Sequence, residues 1–433
     1  MMLERIYYKP FREGKKDLEI FLLGQCSAQC KYCYLHKYGK ALYPQEYSSF
    51  ELILQNYELI LNWYIKNKFT NAISLFSAEW LDKKDFCNNI FSITYKVFST
   101  SEYKPKEIII PSNLQFLKDK EITNLIQNWI DKLQNDLNIH VLISGSIDGK
   151  YCDNDRTSCT DDFYLTCNEF FKKNDYRFHP MVSSFNVKNW IDNYAWWRTQ
   201  MLNGLPQTLM MLEVRDETWT NDSIVQLLEF LNYQIDYQFE TDFHNDKKEF
   251  LKYLLRIENK YNNYFPNYHN IGLSLSNPYN NTDTINCSVN HNCLVIRAGD
   301  LAVIACHRQG YEELVLGKYN IENNEITDFN VKRLELLIAY NHLKQSNLPH
   351  CESCLYNKVC PGFCLGNSYE NYKNPFIPTK EVCEMYKSKF NFLIQKYYSM
   401  GLFKYLDEIK SQLPPTGYNY LTNLIKSSIE NEE

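Results

Sequence analysis

From residue 17 the chain alternates short apolar runs with stretches whose apolar residues recur at helical spacing. The runs "DLEIFLLG" (17–24), "NAISLFS" (71–77), "EIIIPSN" (107–113), "HVLISGSIDG" (140–149), "YRFHPMVSS" (176–184) and "TLMMLEVRD" (208–216) read as strands. Helical patterns follow them at 48–67, up to about 98, at 120–137, 162–174, 186–202 and 221–236. Right-handed crossovers between such units give a parallel sheet with helices outside. Six units are too few for a closed eight-stranded barrel, so an open, partial barrel is expected, with ligands at the C-terminal ends of its strands.

This α/β segment spans 17–236, after a charged N-terminal segment at 1–16. Residues 237–285 are polar and read as a helical connector plus a loop around "SNPYNNTDT". A cysteine-rich region at 286–390 follows, then a helical tail at 391–433 broken by "PPTGY" (414–418). No apolar run approaches the roughly 18 residues of a membrane span. The N-terminus lacks an apolar signal core, so the expected location is the cytoplasm. The net charge of -6 is not that of a nucleic-acid binder.

Of 15 cysteines, most fall in two groups, and in a reducing compartment grouped thiols bind metal or do catalysis. The first group is "GQCSAQCKYCYL" (24–35), with Cys26, Cys30 and Cys33 directly after the first strand. Three thiolates do not close a structural zinc site, which takes four ligands. Either a residue such as His36 completes a zinc site, or the trio holds a [4Fe–4S] cluster with one iron open to a small molecule.

The spacing C-x3-C-x2-C, with Tyr32 before the last cysteine, resembles the signature of the radical S-adenosylmethionine (SAM) superfamily. The resemblance implies that SAM occupies the open iron and is cleaved by one electron to a 5'-deoxyadenosyl radical. It also implies a partial (β/α)6, TIM-like barrel, a small iron–sulfur domain and C-terminal helices. By the same resemblance "SAEW" stands where the family's Gly-Gly-Glu-Pro stretch holds the SAM amine. Ser77, Ala78 and Glu79 are then cofactor contacts, with both glycines and the proline replaced. Ser112 and Asn113 match a Ser-Asn pair near SAM, and Ser146 with Arg156 match a Ser and an Arg that bind its carboxylate. Without the resemblance, Arg156 is a solvated charge.

The second group is Cys287, Cys293 and Cys306, then "CESCLYNKVCPGFC" with Cys351, Cys354, Cys360 and Cys364, then Cys383. Eight thiolates suffice for two fully ligated [4Fe–4S] clusters or for two zinc sites. The spacing resembles the SPASM domain of radical SAM enzymes that modify peptides and proteins, with "RAGDLAVIAC" as the hairpin before the third ligand. The resemblance implies one auxiliary cluster on Cys287, Cys293, Cys306 and Cys364. The other falls on Cys351, Cys354, Cys360 and Cys383, for three clusters in all.

Enzymes of this kind include anaerobic sulfatase-maturing enzymes, which make formylglycine, and maturases of ribosomal peptides (RiPPs), which form crosslinks, insert carbon, cyclise or epimerise. The former carry an Asp after the third ligand of the second group. Here that residue is His307, a base by analogy or a packing residue beside a cluster. The reading favoured is a peptide maturase, with sulfatase maturation as the alternative and a zinc-binding structural or regulatory protein as the alternative of another class. Cys152 is a candidate hydrogen donor or a small buried apolar residue. Arg215 is a candidate contact to SAM or a peptide carboxylate, or one half of a surface ion pair. The expected partners are a precursor peptide, a reductant such as flavodoxin or ferredoxin, and a separate leader-binding protein, with neither nucleic acid nor membrane. Only 25 residues precede Cys26, too few for an N-terminal leader-binding module.

Overall fold

In chain order the strands are β1 (Asp17–Phe21), β2 (Ala72–Ser74), β3 (Glu107–Ser112), β4 (His140–Gly145), β5 (Tyr176–Phe178), β6 (Met181–Val182), β7 (Leu212–Glu213), β8 (Cys293–Arg297), β9 (Ala302–Ile304), β10 (Gly317–Asn320) and β11 (Glu325–Thr327). The longer helices are α1 (Tyr34–Leu42), α2 (Phe50–Asn67), α3 (Lys84–Ser99), α4 (Lys120–Leu137), α5 (Asp161–Phe171), α6 (Trp190–Leu202), α7 (Asn221–Tyr237), α8 (Lys247–Leu254), α9 (Leu365–Tyr372), α10 (Lys380–Ser399) and α11 (Pro415–Glu430). The computed structural model describes residues 17–28, 30–68, 72–152, 156, 161–174, 176–203, 212–255, 257, 271–273, 293–320, 322, 325–327, 348–413 and 415–430. Two units make up the chain. One comprises Met1–Ile147, Cys152–Phe178 and Ser288–Asn341, the other Asp148–Tyr151, His179–Cys287 and His342–Glu433.

The first unit is built on a nine-stranded sheet of order β11-β10-β9-β8-β1-β2-β3-β4-β5. The strands from β8 through β1 to β5 run parallel, and β9, β10 and β11 continue antiparallel. Register explains the core. Leu18, Ile73, Ile108 and Val141 form one cross-strand row and are all buried. The next row, Glu19, Ser74, Ile109 and Leu142, points to the opposite face, because successive residues of a strand alternate. Helix starts follow local chemistry: the Asp119 carboxylate accepts from the Glu121 and Ile122 amides to begin α4.

Four of the expected strands appear as β1–β4. The fifth, 176–184, is divided: β5 joins the large sheet, while β6 pairs with β7 in a separate two-stranded parallel sheet. Pro180 lies between them and has no N–H for a ladder. The expected sixth strand is therefore the partner of β6 and does not extend the large sheet. That sheet grows instead on its other edge, where β8 pairs in register with β1, Asp17 opposite Cys293 and Phe21 opposite Arg297. The hairpin expected in "RAGDLAVIAC" is present as β8–β9.

The second unit holds β6 and β7, helices α6–α8, and the C-terminal helices α9–α11. Helix α7 opens on a capping box of Thr220 and Ser223. The break expected at 414–418 lies earlier, after α10 ends at Ser399: Pro415 to Tyr418 already belong to α11, which starts at Pro415, where a missing N–H costs nothing. The expected loop around "SNPYNNTDT" lies outside the described residues. Among the described residues no helix is long and apolar enough to cross a membrane.

Candidate active site

The loops that follow β1, β2, β3 and β4 meet at the C-terminal edge of the parallel strands, where α/β sheets bind ligands. The first carries Cys26, Cys30 and Cys33, all partly exposed. Its two ends are fixed by close packing. A Cβ on Gly24 would lie 2.3 Å from Tyr43 Cβ, and one on Gly39 of α1 would lie 2.4 Å from Gly24 O. Only glycine permits that approach, so the cysteine loop is pinned between the end of β1 and the body of α1.

The loop after β2 is stitched to this one. Leu23 N donates to Ser77 Oγ (2.8 Å), Ser77 Oγ donates to Leu23 O (3.2 Å), and Ala78 N donates to the same carbonyl (2.9 Å). Ser77 thus supplies a hydroxyl anchor where the resembled families have glycine. Glu79 is 4 % exposed, and its carboxylate accepts from Ser112 Oγ (3.0 Å to each oxygen), from Asn113 N and from Leu81 N. Asn113 Nδ2 points at Cys26 Sγ at 4.0 Å. Ser146 N bonds Ser112 O, and the Arg156 guanidinium lies 5.7 Å from the Tyr32 ring centroid in a cation–π contact. Cys26, Tyr32, Ser77, Ala78, Glu79, Ser112, Asn113, Ser146 and Arg156 are thereby linked through adjoining loops of one unit.

Burial pushes the Glu79 carboxyl up to about 7, against the lowering effect of its hydrogen bonds. The unfolded chain releases this proton near the ordinary 4.5, so over the window from 4.5 to about 7 the folded state binds more protons. Stability from this group is complete below the window and is lost as pH rises through it. Between about pH 5 and about pH 8 the cluster-free protein should lose on the order of 3 kcal/mol that Glu79→Gln does not lose. Thermal unfolding of both at the two pH values checks this, and parallel slopes would contradict it.

A second group lies on the same unit. His307, in the turn after β9, bonds Glu19 of β1 (Nδ1 to Oε1, 2.8 Å). Its ring stacks on Phe76 at 3.8 Å and 12° and on Tyr34 at 5.5 Å. The Tyr34 hydroxyl is buried and finds no hydrogen-bond partner among the described residues. Burial raises its pKa well above the ordinary value, and Cys33, Cys306 and Glu19 add to the rise. Arg308 lies 5.2 Å from the Tyr34 ring. Glu19, Tyr34, Phe76 and Arg308 were not anticipated as site residues. Only Glu19 leaves a trace in the sequence, a charge set between Leu18 and Ile20 in the run "DLEIF".

In the other unit Cys354 and Cys383 are electrostatic neighbours of each other and of both Cys351 and Cys360. Burial pushes the Cys351 thiol up to about 11 and Cys360 up to about 12, and raises Cys383 too. Cys364 precedes α9 and lies near Arg215. Arg215 donates through Nε to Tyr386 Oη (3.1 Å). Cys152 is buried in the first unit near Cys167. Cys287 lies outside the described residues. The backbone of Cys293 begins β8.

The donor chemistry fits iron–sulfur ligation. Cys26, Cys306 and Cys360 each accept a backbone N–H from the residue two positions on, Ala28 (3.4 Å), Arg308 (3.5 Å) and Gly362 (3.4 Å). Such donors stabilise thiolate sulfur on a cluster. The twelve cysteines whose side chains are described are all free of disulfides. Among the described residues no three His, Cys, Asp or Glu side chains are grouped around one point.

No protein-family model matches the sequence. No curated protein is similar to it in sequence. Solved structures are similar in fold. The native anaerobic sulfatase-maturing enzyme anSMEcpe with bound AdoMet and the Cp18Cys peptide is 19% identical, at a TM-score of 0.52 over 88% of this chain and 98% of that one. The hexahistidine-tagged anSMEcpe with bound AdoMet is 16% identical, at 0.52 over 94% and 98%. Along most of its length this chain has the fold of a solved radical SAM enzyme, an α/β architecture around a parallel sheet.

Proposed function

We propose that the protein is a radical SAM maturase that modifies a residue of a ribosomally made peptide, most directly supported by Cys26, on the loop that carries Cys30 and Cys33, lying against Asn113 beside the buried Glu79–Ser112 pair at one sheet edge. Cys26, Cys30 and Cys33 would hold the SAM-binding cluster, and the eight cysteines of the second group two auxiliary ones. When bound, the first cluster and SAM supply one-electron cleavage of the sulfonium and a 5'-deoxyadenosyl radical that removes hydrogen from the substrate. The protein binds, aims and shields. Glu79 offers a dry carboxylate to the SAM ammonium, and a cation there favours its charged form. Arg156 offers a charge to the SAM carboxylate. A low-potential one-electron donor such as flavodoxin or ferredoxin supplies the electron.

His307 is the candidate proton acceptor. With Nδ1–H directed to Glu19, the neutral ring carries its lone pair on Nε2. The carboxylate orients the imidazole and stabilises it once protonated. His307→Ala should still cleave SAM in the presence of the peptide but form modified peptide at least about a hundredfold more slowly, within the usual range for losing a positioned base. Equal loss of both would contradict the assignment. The likeness in fold to anSMEcpe supports a second reading, formylglycine formation, although that enzyme class carries an Asp where His307 stands.

Deuterium transfer separates the two readings. Candidate precursor peptides and a sulfatase-derived Cys peptide, each deuterated at one residue type, are incubated with reconstituted protein and SAM. Deuterium in 5'-deoxyadenosine from a precursor peptide supports the maturase. Transfer from the Cys peptide alone supports formylglycine formation, and transfer from neither overturns both.

A further inference from the structure

Between its two pinned ends, the cysteine loop is tied to the segment that leads into α3. Ser27, which directly follows Cys26, donates through Oγ to Asp82 Oδ2 at 2.9 Å. The other oxygen of the same carboxylate, Oδ1, accepts from Lys83 Nζ at 2.9 Å. Asp82 stands on firm ground. Trp80 and Leu81, just before it, are fully buried. Lys83 N donates to Trp80 O (3.1 Å) and Cys87 N to Lys83 O (2.8 Å), so the turn runs directly into α3. Ser27 has no such base, being exposed and on a loop. The constraint therefore runs from Asp82 to the cysteine loop. Three cysteines of one loop reach a common cluster only if the residues between them curl. Three residues separate Cys26 from Cys30, and Ser27 is the first of them. Ala28 N donates to Cys26 Sγ (3.4 Å), so the chain already turns at Ser27. A loop fixed in its ligating shape gives up less conformational freedom when it binds metal.

We propose that Asp82, acting through Ser27, is a positioning residue that holds the loop of Cys26, Cys30 and Cys33 in the shape that ligates a cluster. This rests on reading those three cysteines as cluster ligands. Lys83 fixes the carboxylate, the carboxylate fixes the Ser27 hydroxyl, and Ser27 fixes the start of the Cys26–Cys30 curl. A direct partner of a metal ligand is usually worth about 10–100-fold in metal affinity. Asp82 stands one step further out and its hydrogen bond is open to water, so the expected effect on metal retention is about fivefold.

The test follows iron release from the anaerobically reconstituted full chain to a ferrous chelator. The variant with Cys26, Cys30 and Cys33 changed to Ala, run alongside, identifies the share of iron that belongs to this loop, about a third for a chain with three cubanes. In Asp82→Ala that share should leave about fivefold faster, and the rest at the parent rate. Ser27→Ala should do the same. The double variant should be no faster than either single one, because both remove the same bond. Asp82→Asn keeps an oxygen that accepts from Ser27 and should bring release back to within about twofold of the parent. Faster release of all the iron, additive in the double variant and not rescued by Asn, would mean a general loosening of the fold and overturns the proposal. Release at the parent rate in Asp82→Ala overturns it too. Should Asp82→Ala fail to load this share at all, Asp82→Asn decides: full loading supports the proposal, and the same failure overturns it. A three-cysteine variant that holds as much iron as the parent would overturn the reading of the trio as ligands, and the proposal with it.

Discussion

Changing Cys26, Cys30 and Cys33 together to Ala should lower the iron content of anaerobically reconstituted protein from about twelve to about eight per chain, because on the proposed reading one of three cubane clusters would lose its ligands. SAM cleavage should vanish at the same time. The three thiols sit on one loop whose ends are pinned by Gly24 and Gly39, so the substitution removes ligands without touching the packing that shapes the loop. The eight cysteines of the second group lie elsewhere in the sequence and should keep the iron the proposal gives them. Loss of all iron would mean that the first loop supports the whole assembly, and unchanged iron would mean that the trio holds none. Zinc in place of iron would contradict the radical reading outright.

Replacing Arg297 should be the most damaging single change to the first unit. Its side chain is inaccessible to water and donates to Leu42 O (2.8 Å) and Gly310 O (2.7 Å), while forking onto Asp300 at 2.8 Å through both Nε and Nη2. It also reaches Glu312. One guanidinium therefore ties together the end of α1, the β8–β9 turn and the turn beyond Cys306. Arg297→Ala leaves the Asp300 carboxylate, itself 4 % exposed, as an uncompensated charge, with two carbonyls stripped of a donor. The expected cost is about 3–5 kcal/mol, out of a total that for most proteins is about 5–15 kcal/mol. A lowered urea midpoint in the cluster-free protein, together with poor iron loading, checks it. A change below about 0.5 kcal/mol, as at an ordinary surface position, would show that the network is dispensable.

Strands β1 to β4 were readable because each is a brief apolar run closed by turn residues, and parallel strands covered on both faces look like that. The division of the fifth strand was also written in the sequence, as Pro180, but its consequence depends on which neighbour is available on either side of the break. Helix α1 was not anticipated. "YLHKYGKAL" carries Gly39 in its middle, a poor helix former, and only the contact with Gly24 explains why glycine is needed there. The pairing of β8 with β1 joins segments more than 270 residues apart, and no local pattern encodes such a partner. The cysteine groups stood out from spacing alone. The link between His307 and Glu19 did not, since it depends on β9 delivering its turn to the face of the sheet that Glu19 lines.

The most direct test of the central claim is the appearance of 5'-deoxyadenosine when the fully loaded protein meets SAM and a low-potential reductant without oxygen. The account predicts 5'-deoxyadenosine and methionine in equal amounts, absent from the Cys26, Cys30 and Cys33 variant. Intact SAM after incubation with protein that carries its full complement of iron and sulfide would contradict it.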